Sequence, residues 1–346
     1  MKVVHVISGL RGGGAEHIVL ALCEQSVVHQ DSEMQVVSLS GITDIADKFQ
    51  NIPVFIPRIT GSHKRNNSGF RTAISAIRHL LSIRPDLLHA HMIYGCMAAC
   101  IVKLFRPGTK IVFTLHNTHQ PNIFYRIFLF MTRPMRAADI IFPGTRPAWY
   151  QKKNATTIAN AAYHSTIPEN IGKDVFTCLF AGRLEKQKRP LLLPDIAGKL
   201  AGKFPFRIIV AGAGSLEQTL RNEVERRNLT EYFEWAGFTH NMPVLIARSH
   251  CLLLPSDYEG MPLIVMEAAA ARLPVIATPE AVKAFNVTSE HAFICSPAEF
   301  HNAIEEVRNN SAGAQRAAEN LHNKLCAYTR ERSYREHLKL YASAVQ

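Results

Sequence analysis

Two carboxylates flank a proline in the stretch "DYEGMPLIVME", residues 257–267. Glu259 and Glu267 lie eight positions apart, and Pro262 suits the first position of a helix, where its missing N–H is not needed. Each carboxylate can accept hydrogen bonds from two neighbouring hydroxyl groups of a sugar ring. Spacing alone leaves an alternative open, in which Glu259 interacts with the helix dipole and Glu267 is a solvated helix residue.

Groups suited to phosphate lie near the same stretch and in a second one. Free backbone amides near Met261 and Leu263, at a helix start, favour anionic oxygens. In "LFAGRLEKQKRP", Arg183 follows an apolar run and Lys188 comes five residues later. A guanidinium fork and an ammonium group that converge past a strand end suit a diphosphate. A solvated basic turn is the alternative interpretation of this second stretch.

Glycine-rich turns occur twice after apolar runs. Gly12, Gly13 and Gly14 separate a strand pattern from a helix pattern, so that backbone amides can approach a phosphate or a sugar. In "VAGAGSLEQ", Glu217 occupies the third glycine position of a dinucleotide fingerprint, where it would repel a pyrophosphate. A dinucleotide site is therefore disfavoured.

Four histidines follow or end strand patterns: His89, His91, His116 and His119. Such a side chain can contact a ligand as hydrogen-bond donor, acceptor or polariser. For each of them, a structural histidine with satisfied hydrogen bonds is the alternative. The sequence shows no Ser-His-Asp constellation and no zinc-type histidine grouping.

Short apolar runs alternate with helix-like segments along the whole chain, which predicts parallel sheets covered on both faces. The pattern lapses in the polar stretch 163–174, a candidate linker, and then begins again. We therefore predict an α/β protein of two Rossmann-like, doubly wound parallel-sheet domains that face each other across a cleft. The predicted domains are residues 1–165 and 166–330, followed by an amphipathic helix at 331–346.

Composition narrows the class of protein. The net charge is +11, of which residues 1–165 contribute +10, so an anionic partner is expected for the first domain, with a merely soluble basic surface as the alternative. The seven cysteines lack metal or redox spacing and suggest buried thiols in a reducing compartment. No apolar run is long enough to span a membrane. We expect a cytoplasmic protein, at most attached to a membrane surface.

Taken together and in this order, these stretches resemble the retaining GT-B glycosyltransferases of family 4, the bacterial surface-polysaccharide type. The resemblance rests on Gly12–Gly14, His116, "GRLEKQKRP", "VAGAG", "WAGF" and "PSDYEGMPLIVMEAAAARLPVIAT", the last of which contains the E-x7-E element of the family. It covers nearly the whole chain. It implies an acceptor-side first domain, a nucleotide-sugar-binding second domain and a C-terminal helix that packs back toward the first.

The resemblance also implies roles for single residues. Glu267 would bind the ribose of the nucleotide, and Glu259 would bind hydroxyls of the donor sugar. Arg183 and Lys188 would stabilise the diphosphate as the glycosidic bond breaks. The remaining donor-site positions would be the Gly12–Gly14 loop, His116 against the donor sugar, Gly237 and Phe238 at the base, and the backbone of Gly260, Met261, Pro262 and Leu263.

By the same resemblance, the chain would transfer a hexose or N-acetylhexosamine, with UDP as the expected nucleotide, and retain the anomeric configuration. No metal and no cofactor besides the nucleotide-sugar is expected. The expected acceptor is a glycan, lipid-linked or anionic, of lipopolysaccharide, O-antigen or capsule assembly. Basic and aromatic residues at 61–70 and 124–136 fit contact with an anionic membrane, although the second segment also fits a helix packed on the sheet.

Two other classes of function remain as alternatives. One is a GT-B enzyme that is not a transferase, such as a sugar-nucleotide epimerase, for which we identify no acid/base residues. The other is a nucleic-acid-binding protein, suggested by the charge alone and supported by no recognition motif. We therefore expect no nucleic acid among the partners.

Overall fold

The computed structural model describes residues 1–57, 68–161, 175–239 and 241–346. The chain forms two compact units: the first contains Met1–Ala161 and Tyr328–Gln346, and the second contains Ala162–Ala327. The predicted linker at 163–174, with the predicted domain boundary, lies outside the described residues. So does most of the basic segment 61–70.

A parallel sheet forms the centre of the first unit. Its seven strands are β1 (Lys2–Ile7), β2 (Glu33–Ser38), β3 (Val54–Phe55), β4 (Leu87–His91), β5 (Lys110–Thr114), β6 (Ala138–Ile141) and β7 (Thr156–Thr157). The helices between them are α1 (Gly14–His29), α2 (Ser68–Ile83), α3 (Met92–Phe105) and α4 (Ile123–Met131). The strand order is β3-β2-β1-β4-β5-β6-β7. The order reverses between β1 and β4, and ligands bind at such a switch point in doubly wound folds.

The second unit repeats this architecture. Its strands are β8 (Phe176–Ala181), β9 (Phe206–Ala211), β10 (Phe233–Gly237), β11 (Cys251–Leu254), β12 (Val275–Ala277) and β13 (Phe293–Ile294). Its helices are α5 (Leu193–Leu200), α6 (Glu217–Arg226), α7 (Met242–Ala247), α8 (Leu263–Ala270), α9 (Pro279–Val282), α10 (Phe300–Asn309) and α11 (Ser311–Leu325). The parallel strands follow the order β10-β9-β8-β11-β12-β13, with the switch point between β8 and β11.

The central strands are continuous apolar runs because helices cover both faces of each sheet. In β1, Val3 and Val4 are successive residues that point to opposite faces, and both are fully buried. In β11, Leu252 and Leu253 are buried in the same way. Burial on both faces fixes the strands tightly, so the loops at their carboxyl ends have fixed starting points.

The last helix of the chain, α12 (Arg330–Val345), belongs to the first unit. Thr329 caps it by accepting a hydrogen bond from the amide of Arg332. Its Ser333 hydroxyl donates to the carbonyl oxygen of Ala159 at 3.0 Å, and its buried Tyr341 lies against β4. Thus the last residues of the chain contribute to the core of the first unit.

The structure differs from the sequence prediction in two local features. The predicted strands are present, but the sheet of the first unit also contains β3 and β7. Each of these two strands has only two residues, too few to show a strand pattern in the sequence. Pro262 is the N-cap of α8, with φ −66° and ψ 123°, so the prediction that it is the first helical residue was wrong. Its extended ψ keeps it outside the helix, and Leu263 is the first residue inside.

Candidate functional site

The loop after β8 places two basic side chains at the carboxyl edge of the second sheet. Arg183 is exposed and pairs with no acidic side chain of the described residues, whereas the Lys188 side chain is only 14 % exposed. Gly182 lies behind this lysine, since a Cβ at that glycine would come 3.4 Å from the lysine Cε. One cation is therefore free to meet a ligand, and the other is fixed by its surroundings.

The loop after β11 supplies the partner of Lys188. Glu259 is buried, and its carboxylate forms an ion pair with the lysine Nζ. Two hydrogen bonds join the loops: Gln187 Nε2 donates to the carbonyl oxygen of Tyr258 at 2.6 Å, and the Asp257 amide donates to the carbonyl oxygen of Gln187 at 2.8 Å. The loops meet because β8 and β11 are neighbours at the switch point. The structure thus joins two predicted residues that are 71 positions apart.

Helix α8 begins directly after this loop. Pro262, its N-cap, makes no side-chain capping hydrogen bond, so no capping side chain occupies the first amides of the helix. Met261 before it is buried, and Glu267 lies half-buried about one turn inside the helix. The positive end of a helix dipole at this position favours an anionic group.

The end of β10 completes the edge of the second sheet. Gly237 has φ +61°, in the left-handed region that favours glycine, and its carbonyl oxygen accepts a hydrogen bond from the Gly212 amide at 2.7 Å. Phe238 follows with 51 % of its surface exposed. An exposed aromatic ring at a strand end offers a flat apolar surface against which a nucleobase can stack.

In the first unit, the three glycines lie between β1 and α1 at the switch point. Gly12 has φ +77°, which a glycine adopts without strain. Gly13 is the N-cap of α1 and Gly14 its first residue, and no side chain makes a capping hydrogen bond. The glycines therefore lie between a strand and a helix, as the sequence predicted.

His116 follows β5 in a strained backbone conformation. Its φ of +60° is unusual for a residue with a side chain and is found disproportionately at functional sites. Its Nε2 lies 2.7 Å from Nδ1 of His91, and its own Nδ1 has no hydrogen-bond partner among the described residues. Burial, and secondarily the nearby His337, lowers the pKa of His116 to about 3, so the ring is neutral at pH 7. It lines a small cavity with Thr145 and Arg146.

The fold brings together three histidines whose grouping the sequence spacing does not show. His5, His89 and His91 lie side by side in β1 and β4, with one nitrogen of each within 4.8 Å of the others. Both ring nitrogens of His89 already have partners, Tyr341 Oη at 2.6 Å and Thr114 Oγ1 at 2.8 Å. Those of His91 lie close to other histidines, so a zinc ion, which needs ring lone pairs at about 2.0 Å, would have to break this network.

His89 and His91 do not reach a ligand as single strand-end residues, because both are buried. His5 was not predicted at all, since one histidine inside a strand has no sequence signal. His119 is exposed after β5. Of the four histidines that the sequence singled out, His116 combines partial exposure with a buried, unpartnered nitrogen.

Helix α4, which overlaps the segment 124–136, has features that fit both interpretations of that segment. Leu129 is fully buried against the first sheet, yet Phe124 is 75 % exposed and Met131 is 72 % exposed. Arg126 and Arg133 are close to these residues in the sequence, and the Arg133 guanidinium lies over the ring of Phe130, 5.2 Å from its centroid. The helix therefore packs one side on the core and exposes large apolar side chains on another. No helix of the described ranges is long and apolar enough to cross a membrane.

Comparison with known proteins relates both units to one enzyme class. Residues 12–146 match Glycosyltransferase Family 4, and residues 166–325 match Glycosyl transferases group 1. An uncharacterized glycosyltransferase of Methanocaldococcus jannaschii is 33 % identical over 110 residues, or 32 % of this chain and 27 % of that protein. The capsular polysaccharide biosynthesis glycosyltransferase CapH of Staphylococcus aureus is 22 % identical over 288 residues, 78 % of each chain.

The chain spans between 27 % and 58 % of the length of the first three curated relatives that it matches. Among solved structures, Anabaena HepE in complex with UDP and glucose superposes with a TM-score of 0.82 at 16 % identity. The superposition covers 99 % of this chain and 100 % of that one. The fold is therefore GT-B, with two Rossmann-like domains.

Proposed function

We propose that this chain, whose two parts belong to Glycosyltransferase Family 4 and to Glycosyl transferases group 1, is a retaining, metal-independent glycosyltransferase. It transfers a hexose or N-acetylhexosamine from a nucleotide-sugar, with UDP as the nucleotide, and uses no further cofactor. The acceptor is a lipid-linked or anionic glycan in the assembly of bacterial surface polysaccharide at the cytoplasmic face of the inner membrane. Support comes from the similarity to CapH and from the fold shared with HepE, which was solved with UDP and glucose.

The ion pair between Lys188 and Glu259, beside an exposed Arg183, is the observation on which this proposal depends. Lys188 uses one of its three N–H donors in the pair, and two remain for phosphate oxygens. One oxygen of Glu259 accepts from the lysine, and the other can accept from a sugar hydroxyl. The pair therefore suits the junction between a sugar and a diphosphate, which needs a cation and a hydroxyl acceptor side by side.

The other predicted residues suit the same class of ligand. The amides at the start of α8 face an anionic oxygen, and Glu267, one turn farther, accepts from the ribose hydroxyls. Phe238 stacks against the base beside Gly237. For the first unit, the proposed roles are binding of a phosphate by the glycine loop at 12–14 and of a sugar hydroxyl by His116.

The proposed reaction is a displacement on one face of the donor sugar. The bond between the anomeric carbon and the phosphate oxygen breaks, and the acceptor oxygen forms a bond to the same face. The acceptor's proton passes to the departing phosphate oxygen. Arg183 and Lys188 stabilise the charge that grows on the diphosphate, which is the role that a metal ion performs in other transferases. Glu259 is already paired with Lys188, which lowers its nucleophilicity and favours this single step over a covalent sugar–enzyme intermediate.

An anionic membrane surface is the proposed location of the acceptor. The exposed apolar residues of α4 and the basic residues Arg126, Arg133, Lys152 and Lys153 occur together on the first unit, and Met131 lines one groove with Arg133, Lys152 and Lys153. Apolar side chains beside basic ones are typical of interfacial binding to anionic lipids.

The protein should float with vesicles of phosphatidylglycerol but not with vesicles of phosphatidylcholine alone. Replacement of Phe124 and Met131 by serine should abolish this flotation. Equal flotation with both lipids would contradict the proposal.

Thermal unfolding with a panel of nucleotides tests the donor site directly. UDP, GDP, ADP, NAD and nucleotide-sugars are added with EDTA present. Stabilisation by UDP and one UDP-sugar, but not by NAD, is expected. Stabilisation only after addition of a divalent cation would refute metal independence, and no shift with any nucleotide would refute the donor site.

A pair of matched variants localises the effect. Glu267→Ala should remove the UDP-dependent shift and most of the transfer activity, because the ribose loses its hydrogen-bond acceptor. Glu225→Ala is the control, since Glu225 is an exposed carboxylate on α6 in the same unit. Identical UDP shifts in both variants would contradict the assignment of Glu267.

The configuration of the product anomeric centre, read by NMR, tests retention.

A further inference from the structure

Three imidazoles form a continuous row inside the first unit. Nε2 of His116 lies 2.7 Å from Nδ1 of His91, and Nε2 of His91 lies 3.0 Å from Nδ1 of His5. Neighbouring rings are stacked, with centroids 5.0 Å and 5.2 Å apart. At both ends of the row, His116 Nδ1 and His5 Nε2 are buried and lack a hydrogen-bond partner among the described residues.

The row has few ways to place its protons. Burial lowers the pKa of His5 and of His116 to about 3 and that of His91 well below its usual value, so all three rings are neutral at pH 7. A neutral ring has one N–H and one lone pair. If His91 donates from Nδ1, then all three rings have their proton on Nδ1. If it donates from Nε2, then all three have it on Nε2, and no mixed arrangement keeps both hydrogen bonds.

The two arrangements differ in which end has the unpartnered N–H. With protons on Nε2, the N–H lies at His5, a fully buried residue in the middle of β1 with no acceptor for that nitrogen in the described chain. With protons on Nδ1, that position has only an unused lone pair, and the N–H lies at His116. A buried N–H without an acceptor is the rarer and costlier defect. The His116 side chain as a whole is partly exposed and lines a cavity, so this end of the row, unlike His5, lies next to space that a ligand can enter.

We propose that His91 and His5 are positioning residues that fix His116 in the Nδ1–H tautomer, so that His116 presents an N–H donor to an oxygen of the bound ligand. That this oxygen belongs to the donor sugar rests on the proposed function. The tautomer itself does not, because it follows from the row of hydrogen bonds. Isolated histidine prefers the Nε2–H form, so the protein reverses the intrinsic preference.

His89 provides a matched control within the same strand. It is as buried as His91 and lies two residues away, but its nitrogens are bonded to Tyr341 and Thr114 instead of joining the row. Each of the variants His89→Phe and His91→Phe thus removes one imidazole, and the two imidazoles are equally buried. Only the second removes the donor to His116.

The test is NMR of protein labelled with ¹⁵N in its histidines, in which ring nitrogen shifts and couplings distinguish the two tautomers. In the unliganded native protein, His5, His91 and His116 should all have the proton on Nδ1. Nε2–H forms, or a charged ring at pH 7, would overturn the proposal. This measurement requires no variant beyond those used for assignment, so it stays decisive if His91→Phe does not fold.

The variants add a second readout. In His91→Phe, His116 should shift toward the Nε2–H form, whereas in His89→Phe its signals should stay at their native positions. An unchanged His116 tautomer in His91→Phe would show that the row has no influence on it. If the native protein catalyses no glycosyl transfer, the proposed function is refuted, but these NMR signals are unaffected. Failure of the proposed function and failure of the tautomer proposal are therefore distinguishable.

Discussion

Mild acid should destabilise the first unit selectively. Six histidines of this unit have pKa values lowered mainly by burial: the more peripheral His79, and five that lie close to one another, His5, His89, His91, His116 and His337. In the unfolded chain each titrates near its ordinary value of 6.5. Since the folded pKa is depressed, the unfolded state binds more protons below pH 6.5, and stability falls as the pH falls. Their contribution is complete above pH 6.5 and is lost between that pH and the folded pKa, about 3 for His5 and about 4 for His337.

The magnitude follows from the width of this window. Between pH 7 and pH 5.5, each histidine that stays neutral costs about 1.3 kcal/mol, at ~1.4 kcal/mol per pH unit. His5 and His337, both buried with pKa values of about 3 and about 4, together cost roughly 2.5 kcal/mol on the same scale. All five would cost at most ~6 kcal/mol, which is comparable to the total stability of a typical domain. Glu331, whose pKa is lowered by hydrogen bonds from His29 and Arg335, matters only below pH 4.5.

The two tryptophans allow each unit to be followed separately. Trp149 lies in the first unit and Trp235 in the second, and the chain has no others. Urea unfolding of Trp235→Phe reports on the first unit, and unfolding of Trp149→Phe reports on the second. The free energy from Trp149 fluorescence should fall by about 2.5 to 6 kcal/mol from pH 7 to pH 5.5, while that from Trp235 should change little. An unchanged value from Trp149, or an equal fall in both, would refute the buried-histidine argument.

Two further sets of variants concern the second unit. Lys188→Met and Glu259→Gln should each lower the free energy of unfolding by about 3 kcal/mol, because each leaves a buried charge or polar group without its partner. The double variant should lose less than the sum of the two single losses, by roughly 1–3 kcal/mol. Additive losses in urea unfolding would contradict a coupled pair. Gly212→Ala should prevent stable folding, since a Cβ there would lie 1.9 Å from the carbonyl oxygen of Gly182 at φ +144°. Gly198→Ala in α5 is the control, because a Cβ built there would have no neighbouring atom within 4 Å. It should stabilise the protein by roughly 0.5–1 kcal/mol. Similar melting temperatures for the two alanine variants would disprove the clash at Gly212.

Much of the fold was predictable because its signals are local. Runs such as "KVVHVI" and "CLLL" predict buried parallel strands, and the glycines at 12–14 and the proline at 262 mark where helices begin. The strand patterns also place Glu259 and Lys188 after strands, at the edge where ligands bind in such sheets. The roles of these residues came from resemblance to a family rather than from spacing.

Tertiary structure alone decided which distant residues meet. Strand order makes β8 and β11 neighbours, and only that adjacency pairs Lys188 with Glu259. It likewise aligns His5 with His89 across β1 and β4 and so assembles the histidine row from residues 86 positions apart. The two-residue strands β3 and β7 exist only because longer neighbours offer them hydrogen bonds. A sequence pattern reports which face of its own element is buried, whereas the partner across that face is chosen by the packing of the whole sheet.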